Sequence, residues 1–227
     1  MISIMNNFFE ETLKIGNDFF YHIVIENPGI YRNFVRQLND SISNSESFFE
    51  VKENGNRVEL SSIAVLVKNP LFMDIDEKKL STTIQKNIAS QINDEEIQAF
   101  KRILGDINEW ITTVSIGYDV PISFNTNLSP AAFLKAFSVS SSECNADFVE
   151  LFIHQIKKLA MTLNKKLFIV LNARDSFWPD EMEMIFHELN RHDIHILFCS
   201  GHSSNSFSDS EKVILIDKDL AELHLHE

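Results

Sequence analysis

The feature that most constrains the fold is an unbroken run of five apolar residues, Leu167–Leu171, between Lys166 and Asn172. A strand with one face in water alternates apolar and polar side chains, whereas a run that is apolar throughout fits a strand buried on both faces. Strands of that kind occur in parallel sheets that carry helices on each side. The run therefore predicts an α/β fold.

The segments around this run alternate between helical and extended patterns. Apolar side chains recur at helical spacing across 147–163 and 179–189, while 194–199 and 213–216 are short apolar runs. Helices that alternate with strands are the building units of a parallel sheet, because the chain must cross over between parallel neighbours. The last third of the chain is therefore predicted to form a large part of the α/β head.

The first third of the chain is rich in strand patterns. Residues 12–25 are predicted to form a hairpin that turns at Gly16-Asn17-Asp18, and 48–60 form a second hairpin that turns at Asn54-Gly55. Gly and Asn favour such turns because they tolerate positive φ. A helix is predicted from Ile30 and a further strand over 63–67.

The middle of the chain is helical. Two amphipathic helices are predicted from Asp76 and Asp94, followed by a brief helix over 129–137. We therefore predict an α/β head made of 1–75 and 147–227, with 76–146 inserted as a helical leg.

The loop after the strand in 19–25 lies where a phosphate-binding loop would be expected. Its residues are Glu26-Asn27-Pro28-Gly29 rather than G-x-x-x-x-G-K-[ST]. Pro28 has no backbone donor, and the carboxylate of Glu26 repels phosphate. We therefore predict a nucleotide-hydrolase-like sheet that lacks a phosphate loop and binds no nucleotide.

Other catalytic and metal-binding patterns are also missing from the sequence. Six of the eight histidines lie between residues 187 and 226, but not at the spacings that zinc sites use. There is no G-x-S-x-G elbow, and Cys144 and Cys199 lie outside any C-x-x-C pair. The sequence therefore indicates a protein that is not an enzyme.

The formal net charge of -13 argues against nucleic acid, because Lys and Arg must neutralise phosphates. The acidity is uneven, however, since residues 151–174 contain no Asp or Glu. Net charge averages over faces that a ligand meets separately. The cations that could bind a polyanion, rather than only solubilise the surface, are Lys157, Lys158, Lys165, Lys166, Lys78, Lys79, Lys101 and Arg102.

The sequence shows no pattern for secretion or membrane insertion. Asn6, Glu10 and Glu11 interrupt the apolar residues near the N-terminus, unlike a signal peptide. No apolar run approaches the ~20 residues of a membrane-spanning helix. Together with the two unpaired cysteines, this predicts a cytoplasmic protein without a membrane partner.

Several segments together resemble the CRISPR-associated Csn2 family of type II-A systems. They occur in the family's order and spacing, and together they span nearly the whole chain. The segments are the Gly16-centred turn leading to Val24-Ile25-Glu26-Asn27, then 65–70, 74–80, 165–172, 180–182 and 194–198.

The resemblance implies a homotetrameric ring whose lysine-lined hole holds double-stranded DNA, with a preference for free ends. It also implies a role in spacer acquisition, in antiviral defence, alongside the CRISPR integrase and the type II effector nuclease. A ring would reconcile the acidic composition with DNA binding, since lysines could line the inside while acidic groups face outward.

The resemblance further implies a calcium site in an acid-rich stretch that corresponds here to 118–127. In this chain the stretch keeps one carboxylate, Asp119, with carbonyl oxygens from Asn125 and Asn127. Calcium prefers several carboxylates, so the site departs from the family pattern.

Two other functions stay open from the sequence. The same oligomer could act as a scaffold for the adaptation proteins with little DNA contact. A divergent NTPase or metal-dependent hydrolase is the third possibility, and the missing phosphate loop argues against it.

Overall fold

The computed structural model of the chain describes residues 1–44, 46–73, 75–142, 146–203 and 206–225. Asp74, Cys144 and His226, which the sequence analysis named singly or within a range, lie outside these residues. The chain divides into two compact units, one formed by 1–75 with 144–227 and the other by 76–143. The predicted α/β class is confirmed.

The described residues form ten strands, seven α-helices and one short 3-10 turn. The strands are β1 Ile2–Met5, β2 Leu13–Ile15, β3 Phe20–Ile25, β4 Glu50–Glu53, β5 Asn56–Val58, β6 Ala64–Val67, β7 Leu167–Leu171, β8 His195–Ser200, β9 Glu211–Ile216 and β10 Glu222–Leu225. The helices are α1 Pro28–Ser43, α2 Leu60–Ile63, α3 Glu77–Gln91, α4 Asp94–Ser115, α5 Pro130–Ala136, α6 Phe148–Leu163 and α7 Pro179–Asn190. The 3-10 turn is Ala173–Asp175.

The larger unit contains a six-stranded sheet in the order β10-β9-β3-β8-β7-β6. Five of its strands are parallel, and β10 pairs antiparallel with β9 at one edge. The apolar run of the sequence is β7, which pairs with β6 on one side and β8 on the other. All five of its residues are buried, as the pattern predicted.

Side chains alternate between two cores along each central strand, as the two-residue period of a strand requires. On one face, Phe168 and Phe198 pack with apolar side chains of α6 and α7. On the other face, Ile169 and Leu197 pack with α1 and with a second sheet. The central strands are thus covered on both sides.

The second sheet has four antiparallel strands in the order β2-β1-β4-β5. Its β4-β5 hairpin confirms the hairpin predicted within 48–60. Asn54 and Gly55 form the turn with φ of 49° and 84°. Two successive residues with positive φ are what a tight hairpin turn requires, and Asn and Gly adopt that conformation at low cost.

The predicted hairpin within 12–25 is wrong. Its strands belong to different sheets, because β2 pairs with β1 whereas β3 lies between β8 and β9. Lys14 is exposed between buried Leu13 and Ile15, which suits a sheet with one wet face. In contrast, five of the six residues of β3 are buried, which suits the centre of a parallel sheet.

The smaller unit is built on α3, α4 and α5. The carboxylate of Asp76 accepts the backbone N–H of Lys79 at 3.0 Å at the start of α3. At the start of α4, Asn93 and Glu96 exchange hydrogen bonds of 3.0 and 2.9 Å in a capping box. Within the described ranges, no helix is long and apolar enough to cross a membrane.

A buried polar cluster joins three strands of the larger sheet. His22 of β3 lies 2.8 Å from Glu211 of β9 through Nδ1, and 2.8 Å from the hydroxyl of Ser200 of β8 through Nε2. Arg174 donates to the same Glu211 oxygen at 2.5 Å. Burial lowers the pKa of His22, so the imidazole is neutral. Because a carboxylate only accepts, we assign the proton to Nδ1 and let Nε2 accept from Ser200.

The carboxyl group of Glu211 is held in its charged form. Burial acts to raise its pKa, but the hydrogen bond from His22, the charge of Arg174 and the backbone N–H of Ser208 outweigh burial and lower the pKa below 4.5. Both Glu211 and His22 are therefore more acidic in the folded chain than in the unfolded chain. Each contributes stability that is lost on acidification.

This cluster predicts a pH-dependent stability. The folded pKa of His22 lies below its ordinary value of 6.5, so the unfolded chain binds more protons and stability falls as the pH drops below 6.5. His22→Gln should flatten the free energy of unfolding between pH 7 and 5, and should cost about 1–3 kcal/mol at pH 7 because a buried hydrogen bond is removed. Urea unfolding at a series of pH values measures both effects.

The matched control is His154→Gln, which removes an exposed histidine of α6. It should leave the pH profile unchanged. A His22→Gln profile as steep as that of the natural chain would contradict this account of the cluster.

Candidate nucleic-acid interface

The loop between β3 and α1 is two residues long, because α1 begins at Pro28 directly after Glu26 and Asn27. The side-chain oxygen of Asn27 accepts the backbone N–H groups of Gly29 at 3.0 Å and Ile30 at 3.2 Å. In a phosphate-binding loop such donors would face the anion. Here the chain's own helix cap uses them.

Side chains near the carboxyl ends of the neighbouring strands also form hydrogen bonds with one another. Ser203 donates its hydroxyl to Glu26 at 2.8 Å, and Tyr31 donates to the side-chain oxygen of Asn172 at 2.8 Å. Burial raises the pKa of Tyr31, which keeps this phenol protonated as a donor. Open α/β sheets bind ligands at this edge. In this chain the edge carries internal hydrogen bonds and the negative charge of Glu26.

In the buried cluster, His22 is hydrogen-bonded to Ser200 on one side and to Glu211 on the other. The catalytic serine, histidine and acidic residue of a serine hydrolase are connected in the same order. The sequence analysis missed this cluster. A nucleophile must reach its substrate, yet Ser200 and His22 are fully buried. Arg174 also holds the carboxylate that would orient the histidine. The geometry therefore indicates a cross-link between strands rather than a catalytic site.

Three of the four predicted DNA-binding lysines in the larger unit are engaged by the chain itself. Lys157 pairs with Glu188 at 2.6 Å, and Lys166 pairs with Glu53 at 2.6 Å. The hydrogen bond and the charge of Glu53 raise the pKa of Lys166. Lys165 donates to backbone carbonyls in α2, among them Ser62 at 3.0 Å. Residues 151–174 contain no Asp or Glu, but glutamates from other segments contact two of their lysines in the folded chain.

Glu188 illustrates how folding changes the local charge. Its oxygens lie 2.6 Å from Lys157, 2.8 Å from Arg191 and 3.8 Å from His192. The hydrogen bond from Lys157 is the main cause that lowers the pKa of Glu188.

Lys158, the next residue of α6, makes no ion pair or side-chain hydrogen bond with the part of the chain that the structure describes. It is the fourth predicted lysine and the one best placed to meet an external anion.

The cations of the smaller unit differ from those of the larger unit in their contacts. All six are exposed, and none of their side chains forms an ion pair or a hydrogen bond with a described residue. They are Lys78, Lys79, Lys86, Lys101, Arg102 and Lys135. Four of these were predicted from sequence, while Lys86 and Lys135 were missed because each stands alone rather than in a basic pair.

The residues predicted for calcium lie in the segment after α4. Asp119 is exposed, and the side-chain oxygen of Asn125 accepts the backbone N–H of Asn127 at 2.9 Å. That oxygen is thus used in a local turn. Across the described ranges, no group of three or more His, Cys, Asp or Glu could hold a metal ion.

Comparison with solved structures gives low identities. The chain is similar to a bacterial Atm1-family ABC exporter with ATP bound, at 13% identity and a TM-score of 0.44, over 99% of this chain and 38% of that one. It is also similar to cbiO1 from Clostridium perfringens, part of the ABC transporter complex cbiONQ, at 11% identity and a TM-score of 0.44, over 90% and 76% of the two chains. The chain thus spans less than half of the exporter.

Comparison with protein families gives a match over most of the chain. The search of curated protein sequences, by contrast, found no match to this chain. The family model for CRISPR-associated protein (Cas_Csn2) matches residues 41–220, which is well over half of the 227 residues. The resemblance found in the sequence is therefore confirmed, and the chain belongs to the CRISPR-associated Csn2 family.

Proposed function

We propose that this chain is a non-enzymatic protein that binds double-stranded DNA through its phosphates and supports spacer acquisition in a type II-A CRISPR system. Family membership gives it a CRISPR-associated role. The observation that carries the DNA-binding proposal is the state of the cations in the smaller unit, where all six are exposed and unpaired within the described chain.

Unpaired cations suit phosphate binding better than paired ones. A lysine that already holds a carboxylate must give up that contact before it can neutralise a phosphate, so less free energy is gained. Lys157 and Lys166 are in that position. We therefore assign the DNA contacts first to the cations of the helical unit and only second to the lysines of 151–174, of which Lys158 makes no ion pair with the described residues. Contacts of this kind position a duplex without reading its sequence.

We further propose that the chain works as a homo-oligomer, a tetrameric ring by the family resemblance, with DNA ends, the CRISPR integrase and the effector nuclease as partners. Large apolar side chains stand exposed on α4, namely Ile103, Trp110 and Val114. Their spacing of seven and four residues places them on one side of the helix. Exposed apolar surface of this kind marks a protein contact.

The same apolar side of α4 is the specific observation that favours the second candidate function, a scaffold for the adaptation proteins. A scaffold would use α4 without needing the cations. DNA binding separates the two candidates, because only the first requires it.

An NTPase is the function that the geometry favours least. The first-turn donors of α1 are taken by Asn27, and Glu26 stands beside them. We propose no calcium-dependent step either, since Asn125 is engaged in its own turn.

Substitution of the helical unit's cations should weaken DNA binding. Lys79→Gln, Lys101→Gln and Arg102→Gln together should lower the affinity for a linear duplex of any sequence. Removal of each phosphate contact should reduce the slope of log affinity against log salt by about 0.9. Fluorescence anisotropy at several salt concentrations measures affinity and slope in one experiment.

The control is the triple variant Lys14→Gln, Lys52→Gln and Arg57→Gln, which removes the same charge from exposed positions on the four-stranded sheet. It should bind DNA nearly as tightly as the natural chain. Equal weakening in the two triple variants would show that only the overall charge matters, and would remove the case for a site on the helical unit.

Assembly through α4 predicts a mass, measured by light scattering, that is a multiple of the 26.1 kDa chain. Trp110→Asp should shift the protein toward monomer, because it places a charge in an apolar contact. Thr112→Asp adds the same residue at an exposed position of the same helix and should leave the mass unchanged. A natural chain that is monomeric at micromolar concentration would be incompatible with a ring.

The purified chain should release no phosphate from ATP above the buffer rate. The reason is that Asn27 already occupies the backbone donors at the start of α1. Phosphate release can be followed with a colorimetric assay. A hydrolysis rate that disappears in Asn27→Ala would show that the site is catalytic after all.

A further inference from the structure

The smaller unit contains a cleft between α3 and the segment formed by α5 and residues 138–140. Its volume is about 520 Å³. At the end of α5 the chain turns back at Ser138, whose φ is 54°, and the side-chain amide of Gln85 then donates to the carbonyl of Val139 at 2.9 Å. Gln85 is almost fully buried. This hydrogen bond fixes residues 138–140 against α3 and gives the cleft its second wall.

Two lysines are among the residues that line the cleft, Lys78 on α3 and Lys135 on α5. Neither makes an ion pair or a side-chain hydrogen bond with a residue that the structure describes. In the larger unit, by contrast, Lys157 and Lys166 each hold a carboxylate. Two exposed cations that share a cleft and hold no anion of the described chain are therefore open to an external anion.

The remaining polar groups of the cleft are mainly hydroxyls. Ser81, Ser138 and Ser140 line it, and none of these hydroxyls has a hydrogen-bond partner within the described ranges. Thr82 also lines the cleft, but its hydroxyl donates to the carbonyl of Lys78 at 2.8 Å. Among the described residues, the one carboxylate in the lining is Glu77. Two lysines and one glutamate leave the lining with a net positive charge.

We propose that this cleft binds a phosphate monoester. A monoester carries about -1.5 to -2 charges near neutral pH and three strong acceptor oxygens, which two ammonium groups and several hydroxyl donors can match. A diester within a DNA strand carries a single charge and leaves fewer oxygens free. The cleft is larger than a phosphate group, so it has room for the sugar that bears it.

The source of the monoester is either a free phosphate compound or the 5′-phosphate at an end of duplex DNA. The second source rests on the proposed DNA-binding function, and would add recognition of an end to contacts along the strand. The first source does not depend on that function. Two arms of one experiment separate them.

The first arm uses inorganic phosphate as the probe and follows backbone amide signals by NMR at low salt. Signals of residues 77–82 and 138–140 should move on titration. Lys78→Gln with Lys135→Gln should weaken the binding about tenfold or more, since it removes two charge-assisted contacts. Glu77→Gln should strengthen it several-fold, because it removes the carboxylate that opposes the anion.

The control for this arm is Lys14→Gln with Lys52→Gln, which removes the same charge from exposed positions on the four-stranded sheet, outside the cleft. It should bind phosphate as the natural chain does. All substituted side chains are exposed, so circular dichroism and the melting temperature should confirm an unchanged fold.

The second arm compares one duplex with 5′-phosphate ends and with 5′-hydroxyl ends. If DNA is the source, the natural chain should bind the phosphorylated duplex more tightly, and Lys78→Gln with Lys135→Gln should abolish that preference, so that the variant binds both duplexes with equal affinity. Phosphate binding in the first arm without an end preference in the second supports a free phosphate compound as the source.

Failure of the proposed DNA-binding function and failure of the cleft proposal would give different results. A chain that binds neither duplex overturns the proposed DNA-binding function, while the first arm still decides the cleft. If neither inorganic phosphate nor a 5′-phosphate produces an effect that depends on Lys78 and Lys135, the cleft proposal is wrong, whatever the affinity for DNA.

Discussion

Burial of the central strands on both faces is the constraint on which the larger unit depends. Every residue of β7 is buried, and its side chains alternate between two cores. Each fully buried Leu, Ile or Phe contributes about 1.5–3 kcal/mol relative to exposure, so neither face can be left in water. Helices α6 and α7 cover one face, while α1 and the four-stranded sheet cover the other.

A polar side chain buried in a sheet of this kind loses its contacts with water and depends on hydrogen-bond partners within the chain. His22 interrupts the apolar residues of β3, and it is tolerated because Glu211 and Ser200 complete its hydrogen bonds. At the carboxyl edge, where open α/β sheets bind ligands, Asn27 and Glu26 make internal contacts. These side chains are therefore engaged within the larger unit, whereas the cations of the helical unit are exposed and make no ion pair with the described residues.

Much of the fold was predictable because its signals are local. The apolar run of β7, the Asn54-Gly55 turn and the starts of α3 and α4 each depend on residues within a few positions of one another. The second sheet was not predicted, and β1 and β10 were missed, because a short strand is defined by its pairing partner rather than by its own pattern. The hairpin within 12–25 failed for the same reason, since a turn signal does not say which sheet each strand joins.

For the candidate site, the sequence by itself determined which cations exist, which of them stand in pairs, and that no phosphate loop follows β3. Only the tertiary structure decided which charges are compensated. Lys157 meets a glutamate 31 positions away, Lys166 one 113 positions away, and His22 one 189 positions away. Lys78 and Lys135 share a cleft for the same kind of reason. Spacing along the chain sets helices and turns, whereas the packing of distant elements sets which charges meet.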